Sequence, residues 1–291
     1  MGRAHEADVA VDQHALPVKR LIADLYGSAV RRPAIVVGGG PSAPAQLELL
    51  RPLLDTAAIL SANGHAWKLG LGAHYVVCKD NRHTETGELM EPRLRPFGAP
   101  IIGRHYWADY RLPRWPVQGN SGMMALGVAA LMGCAPIFPI GFDCYQNGTY
   151  FHDPDAKNVS RGLRDSLWRS RYQRLRAKLV TADIRLLDAS PLSVSFPRYV
   201  PGEPPRGQIP PVFDFYRGMQ THYGRATRTF PQKQDPQVEV PAGTVFAMDG
   251  EELAFYRRTH CVEPVDNAAA SGVQLCAQAT AAEGSTPDPQ G

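Results

Sequence analysis

The stretch Ala34–Ser42, AIVVGGGPS, constrains this chain more than any other segment. Its apolar run is rich in β-branched residues and too short for a helix, which predicts a buried strand over Ala34–Val37. Three glycines then allow a sharp turn, and Pro41 suits the first position of a helix. The following AQLELLRPLL predicts that helix over Ala43–Leu54. Strand, glycine turn and helix make a βα unit, and the pattern recurs downstream.

Ala57–Ser61 reads as a second strand closing on Ala62-Asn63-Gly64, with a short helix over His65–Leu71. His74–Cys78 reads as a third strand ending at Lys79-Asp80-Asn81, and Pro100–Ile102 as a weak fourth. A helix over Ser121–Gly133 leads into a strand over Pro136–Ile140, which ends at Gly141-Phe142-Asp143. A polar helix from about Ser160 to Leu179 precedes a last strand, Ile184–Leu187. Apolar residues at helical spacing also predict a leading amphipathic helix over residues 17–32. Short apolar strands alternating with helices predict an α/β fold, a Rossmann-like and mostly parallel sheet with helices on both faces. In such sheets ligands bind beyond the carboxyl ends of the strands, so the polar strand ends are the places to look for chemistry.

The 291 residues allow one substantial core with an appendage. The expected division is a helical lead over 1–33, a nucleotide-binding domain over 34–190, a Pro-rich basic arm or lid over 191–264, and a disordered tail over 265–291. Ten prolines within 191–241 motivate the arm, with a short helix around Phe213–Gly218 and a strand or hairpin within Glu239–Pro264. A net charge of +3 argues neither for nor against nucleic acid. The five cysteines lack any C-x-x-C pair, so reduced thiols are expected rather than a disulfide scaffold or zinc ribbon. Met1–His14 carries charges where an export leader needs an apolar run, and the expected location is the cytoplasm. Ser121–Ile140 is uncharged and long enough to span a bilayer, but Gly133, Pro136 and Pro139 interrupt it, so a buried helix followed by a buried strand is expected.

Each polar strand end has a bland reading beside a functional one. Gly38, Gly39, Gly40 and Ser42 form either a plain tight turn or a backbone cradle for a phosphate. Asn63 and Asn81 are turn residues or readers of a base edge and sugar hydroxyls. Asn120 and Ser121, followed by Gly122, cap a helix or turn a second set of amides toward a phosphate. The segment Gly141–Asp153 concentrates acids, tyrosines and a histidine behind a buried strand. In a site there, tyrosine hydroxyls could donate to a departing phosphate, and His152 or the neighbouring acids could exchange protons. Its alternative is a structured loop. The nine histidines form no metal pattern, and no metal ligands are assigned.

Taken in order, GGGPS, the ANG and KDN strand ends, and NSG…LMGCAPIFPIGFDCYQNGTY resemble the bacterial sialyltransferases of glycosyltransferase family 42. They are also similar to the Rossmann-like family, with bacterial and phage members, that contains archaeal 6-hydroxymethyl-7,8-dihydropterin diphosphokinase. The resemblance covers roughly Ile35 to Pro191. It implies a cleft for a nucleotide-sugar donor, CMP-linked in the sialyltransferases, in which Asn63 and Asn81 contact the donor. It further implies that Ser121 and Gly122 hold its phosphate or sugar, that Tyr145 and Tyr150 assist departure of the phosphate, and that no metal is required. The sequence departs from the sialyltransferases in three places. Gly39 stands where they carry Asn, Gln118-Gly119-Asn120 lacks their Arg, and Ser166 lies near the place of their general-base His.

These departures favour a relative using another nucleotide-linked group, with His152 or Asp143 as the candidate acid/base. The expected activity is glycosyl transfer from a nucleotide-sugar to a glycan or small-molecule acceptor. Pyrophosphoryl transfer from ATP with Mg²⁺ is the enzymatic alternative, and a nucleotide-binding assembly protein the non-catalytic one. No nucleic-acid partner and no membrane span are expected, and homo-oligomerisation is compatible with the chain.

Overall fold

The computed structural model describes residues 19–83, 86–117, 119–143, 165–187, 196–233 and 235–266, with side chains in the 165–187 stretch described from residue 170. Its centre is the run predicted from AIVV, strand β2 at Ala34–Val37. Along β2 the side chains alternate between two buried faces. Ala34 and Val36 join the core under helix α4 (Ser121–Leu131), while Ile35 and Val37 join Leu47 and Leu50 of helix α1 (Ala43–Leu50). A strand buried on both faces needs a continuous apolar run, which is what AIVV supplies.

Around β2 stand β3 (Ala58–Ala62), β4 (Tyr75–Cys78), β5 (Ile101–Gly103), β6 (Tyr110–Arg111), β7 (Ile137–Ile140) and β1 (Arg20–Leu21). The seven strands are all parallel and lie in the order β1-β6-β5-β4-β3-β2-β7. From β2 the chain winds outward to β6, then returns through α4 to place β7 on the other side of β2. The reversal makes the β2/β7 border a topological switch point. Helix α2 spans His65–Lys68, and helix α3, Met90–Leu94, follows β4. Helix α5 (Asp165–Lys178) packs Tyr172 and Leu175 onto the α4 side of the sheet. The fold is the α/β, Rossmann-like sheet expected from the sequence. Among the described residues no helix is long and apolar enough to cross a membrane.

Three local expectations are corrected. Residues 19–32, the described part of the expected leading helix, do not form an amphipathic helix. After β1 the chain makes a 3₁₀ turn over Ile22–Leu25, which buries the same apolar residues. Its next amides then serve another helix: Gly27, Ala29 and Arg31 donate to the carbonyls of Leu131, Met132 and Gly133 at the end of α4. Those carbonyls have no partner within α4, so the segment satisfies them and forgoes its own i→i−4 bonds. Ile184–Leu187 is not a sheet strand but forms single bridges, Ile184 to Ile137 and Leu186 to Arg198.

The third correction concerns 191–264, where much of the chain is folded rather than extended. A 3₁₀ helix at Pro211–Tyr216 buries Phe213 and Tyr216 in the α4-side core. Strands β8 (His222–Ala226), β11 (Val245–Met248) and β12 (Val262–Val265) then form an antiparallel sheet, and β9 (Phe230–Gln232) pairs with β10 (Asp235–Val240). Helix α6 (Gly250–Arg258) closes this module over a core of Phe230, Val240, Phe246, Met248, Tyr256 and Val262. The module is joined to the parallel sheet by a buried ion pair. Arg111 of β6 donates from both terminal nitrogens to the Glu252 carboxylate at 2.7 Å, and from one of them to the Ala247 carbonyl.

Candidate functional site

The switch point is filled by protein groups. The Gly38 amide donates to the Ile140 carbonyl at 2.8 Å, and the Gly40 amide to the Gly141 carbonyl at 2.8 Å. Asp143, just past β7, accepts from both the amide and the hydroxyl of Ser42, at 3.0 and 2.9 Å. Gln46 of α1 closes the cluster, its Oε1 accepting from the Gly141 amide and lying 3.1 Å from Ser42 Oγ. A Cβ on Gly40 would stand 1.9 Å from Asp143 Oδ2 and 2.7 Å from the Gly141 carbonyl oxygen, so both the carboxylate and the neighbouring backbone exclude a side chain there. Gly39 is buried in the same turn. The turn expected to cradle a phosphate thus holds the Asp143 carboxylate, bonded to Ser42.

Ser121 and Asn120 also have structural partners. Asn120 Oδ1 accepts from the Met123 amide at 2.9 Å, an N-cap bond. Ser121 Oγ accepts from the Lys79 amide at 3.1 Å and so ties α4 to the end of β4. Gly122 lies against the Phe142 ring, where a Cβ would come within 3.0 Å of Cε1. Asn63 ends β3 in the left-handed conformation, φ 54°, and its buried Oδ1 has no hydrogen-bond partner among the described residues. Asn81 Oδ1 accepts from the Trp107 indole at 2.8 Å. Tyr145, Tyr150 and His152 lie outside the described residues.

The open space lies beside the switch point, over the ends of β4 and β5. One cavity of about 540 Å³ is lined by Lys79, Arg104, Trp115, Asn120 and Met124, and by Arg171, Arg174, Leu175 and Lys178 of α5. A second, about 280 Å³, is lined by Lys79, Asp80, Asn81, Arg82, Arg104 and His105, with Asp235 and Gln237 from β10. Lys79 and Arg104 belong to both. These two residues directly follow adjacent parallel strands, so the sheet register sets them side by side. Of the sequence candidates, the structure brings Asn81 and Asn120 into this cleft, with Ser121 behind Lys79. Gly38–Ser42 and Asp143 form the separate cluster at β2/β7, and Asn63 lines neither cavity.

The cavity walls hold unmet donors. Arg104 Nε and Trp115 Nε1 are buried without hydrogen-bond partners among the described residues. His105 Nε2 lies 2.9 Å from the Lys79 carbonyl. A carbonyl only accepts, so Nε2 carries the proton and the buried Nδ1 is left as an unpartnered acceptor. Burial pushes the His105 pKa below the usual imidazole value, against smaller opposing effects that include Asp235 and Asp80. Among the described residues no group of His, Cys, Asp and Glu could hold a metal ion.

The sequence reading missed Arg104, the α5 cations, Asp235 and Gln237, and did not single out Lys79. One signal was available: Arg171, Arg174 and Lys178 stand at i, i+3 and i+7 and share a helix face.

A doubly covered parallel sheet with a basic cleft at its strand ends makes this a Rossmann-like α/β protein. Two solved structures are similar over part of the chain. The chain is similar to the sialyltransferase CstII from Campylobacter jejuni, solved in complex with a substrate analogue, cytidine-5'-monophosphate. It is 17% identical to that protein, with 58% of this chain and 85% of CstII covered at a TM-score of 0.41. It is also similar to the MAf glycosyltransferase from Magnetospirillum magneticum AMB-1, at 14% identity and a TM-score of 0.30, over 44% of this chain and 28% of MAf. No protein-family model matches the sequence, and a search of curated proteins returns no match.

Proposed function

We propose that the protein is a nucleotide-sugar-dependent glycosyltransferase whose donor lies in the double cavity over β4 and β5. The observation that carries this reading is the sharing of Lys79 and Arg104 between a cation-rich cavity and one lined by carboxylates and amides. Cations and the N-terminus of α4 suit phosphate, while Asp80, Asn81, Asp235 and Gln237 suit hydroxyls of a ribose or sugar. A donor across the junction would place its glycosyl–phosphate bond near Lys79 and Arg104.

In the reaction the bond from the anomeric carbon to the phosphate oxygen breaks, and the acceptor hydroxyl forms the new glycosidic bond and loses its proton. Lys79, Arg104 and the α5 cations stabilise the charge gathering on the departing phosphate. Tyr145 and Tyr150 are assigned as further donors to that oxygen, and His152 as the proton acceptor. Asp143 is held by Ser42 and takes no proton in this scheme. The resemblance adds that no metal is needed. Pyrophosphoryl transfer from ATP with Mg²⁺ is the second reading, favoured by the cation count alone.

The test is a panel of CMP-, UDP- and GDP-linked sugars, followed for melting shift and donor turnover by the purified protein. At least one donor is expected to raise the melting temperature and be consumed. A panel with neither binding nor turnover sinks the reading, and turnover of ATP with a pterin acceptor selects the second.

A further inference from the structure

We infer that the larger cavity is a diphosphate site, so that its ligand is a nucleotide carrying two linked phosphates rather than a nucleoside monophosphate ester. The inference rests on the proposed donor cleft and specifies its chemistry. Among the described residues, five cationic side chains line this cavity and no carboxylate does. Lys79, Arg104, Arg174 and Lys178 take part in no ion pair among the described residues. Lys178 donates to the Pro116 carbonyl, a neutral acceptor that leaves its charge uncompensated. The acids of the cleft, Asp80 and Asp235, line the second cavity.

Like charges gathered on a concave wall repel one another, and an anion there relieves the repulsion while making charge-assisted hydrogen bonds. A phosphodiester, as in a monophosphate-linked sugar, brings one negative charge. A linked pair of phosphates brings two or more, spread over two centres. The cations are spread in the same way. Lys79 and Arg104 stand at the junction of the cavities, whereas Arg171, Arg174 and Lys178 come from one face of α5. The buried, unpartnered donors Arg104 Nε and Trp115 Nε1 add places where phosphate oxygens would be accepted. A nucleoside diphosphate-linked sugar and a nucleoside triphosphate both supply this group.

Calorimetric titration of the whole protein with CMP, CDP, UMP, UDP, GDP and ADP tests the inference. The diphosphates are expected to bind at least about tenfold more tightly than the matching monophosphates, a difference of about 1.4 kcal/mol. Arg174→Ala and Lys79→Met are each expected to weaken the diphosphates more than the matching monophosphates and so to remove most of that preference. Arg258→Ala, a cation on α6 outside the cavity, reads the effect of net charge alone and is expected to keep the preference.

Monophosphates binding as tightly as diphosphates overturn the inference, and turnover of a CMP-linked sugar in that case leaves the glycosyltransferase reading intact. Failure of every nucleotide and nucleotide-sugar to bind overturns both. A single-stranded oligonucleotide binding more tightly than any diphosphate also overturns the inference. If it holds, UDP- or GDP-sugar turnover against ATP consumption identifies which source supplies the diphosphate.

Discussion

Asp143 and Ser42 are joined by two hydrogen bonds, amide to carboxylate at 3.0 Å and hydroxyl to carboxylate at 2.9 Å, across the border of β2 and β7. They put a resident anion at the start of α1, where the chain's glycine turn would otherwise offer amides to a ligand. Bonds to a charged group contribute about 1.5–3 kcal/mol each. Asp143→Ala, which removes both, is therefore expected to cost about 3–6 kcal/mol in urea denaturation, and Asp143→Asn about half of that. Donor turnover per folded molecule is expected to survive Asp143→Asn. A loss of several hundredfold in turnover with unchanged stability would falsify the clasp and return Asp143 to proton transfer.

Gly40→Ala tests the same clasp from the other side. The new methyl would overlap the Asp143 carboxylate, which must then leave Ser42 or push the turn away. Destabilisation comparable to that of Asp143→Ala is expected. In the Asp143→Ala background the added methyl is expected to cost less than it does alone, the remaining cost coming from the Gly141 carbonyl oxygen 2.7 Å from it. Equal costs in both backgrounds, read from denaturation midpoints, would mean that the carboxylate is not what excludes a side chain at Gly40.

The βα grammar of the main sheet was legible because its strands are buried on both faces. Ala34–Val37, Ile137–Ile140 and the α4 segment read correctly within a residue or two, since uninterrupted apolar runs there admit few alternatives. Strands β1 and β6 were not legible, having only two residues each and no period to detect. The 17–32 segment misled because its apolar spacing was satisfied by a 3₁₀ turn while its amides went to carbonyls about a hundred residues away. In the C-terminal module, Pro231 and Pro236 within β9 and β10 read as an arm, yet both strands pair at the edges of a small sheet where proline is tolerated. The polar strand ends pointed to the edge of the sheet where the two cavities lie. The cleft's cations could not be gathered from sequence, because they come from two strand ends and a distant helix.

Asn81 combines a structural and a binding role, and two substitutions separate them. Its Oδ1 satisfies the buried Trp107 indole, while the side chain lines the smaller cavity. Asn81→Ala leaves that indole unpaired and is expected to cost about 1–3 kcal/mol. Asn81→Asp keeps an acceptor for Trp107, so stability is expected to be nearly preserved while the amide donor toward a ligand is lost. The check is the ligand-induced melting shift, expected to shrink in both variants. A full shift in a stable Asn81→Asp protein removes Asn81 from the binding site.

The Arg111–Glu252 pair is expected to hold the C-terminal module on the sheet. With side chains 1% and 3% exposed, removing one partner strands a charge in the interior, at a cost of about 3–5 kcal/mol. Glu252→Gln is expected to destabilise by roughly that amount, and the double change Arg111→Met with Glu252→Leu by less than either single change. Guanidinium denaturation of the variants gives the comparison. Additive costs would show that the two side chains act independently.

Histidine burial sets the expected pH dependence. His105 is 1% exposed and its pKa is lowered first by desolvation, and His74 is lowered by desolvation and by Arg32. A histidine whose folded pKa lies below its unfolded value binds more protons when unfolded. Stability then rises with pH between the two values, and the neutral-form advantage fades as pH falls below about 6.5. The wild-type protein is expected to lose stability as pH falls below about 6.5. His105→Gln is expected to have a lower starting stability, because the Lys79 carbonyl loses its fixed donor, but a shallower slope over that window. Denaturation midpoints at half-unit pH steps decide it, with His74→Gln run in parallel to apportion the slope. An unchanged slope in His105→Gln would mean that His105 takes up its proton at the same pH in the folded and unfolded chain.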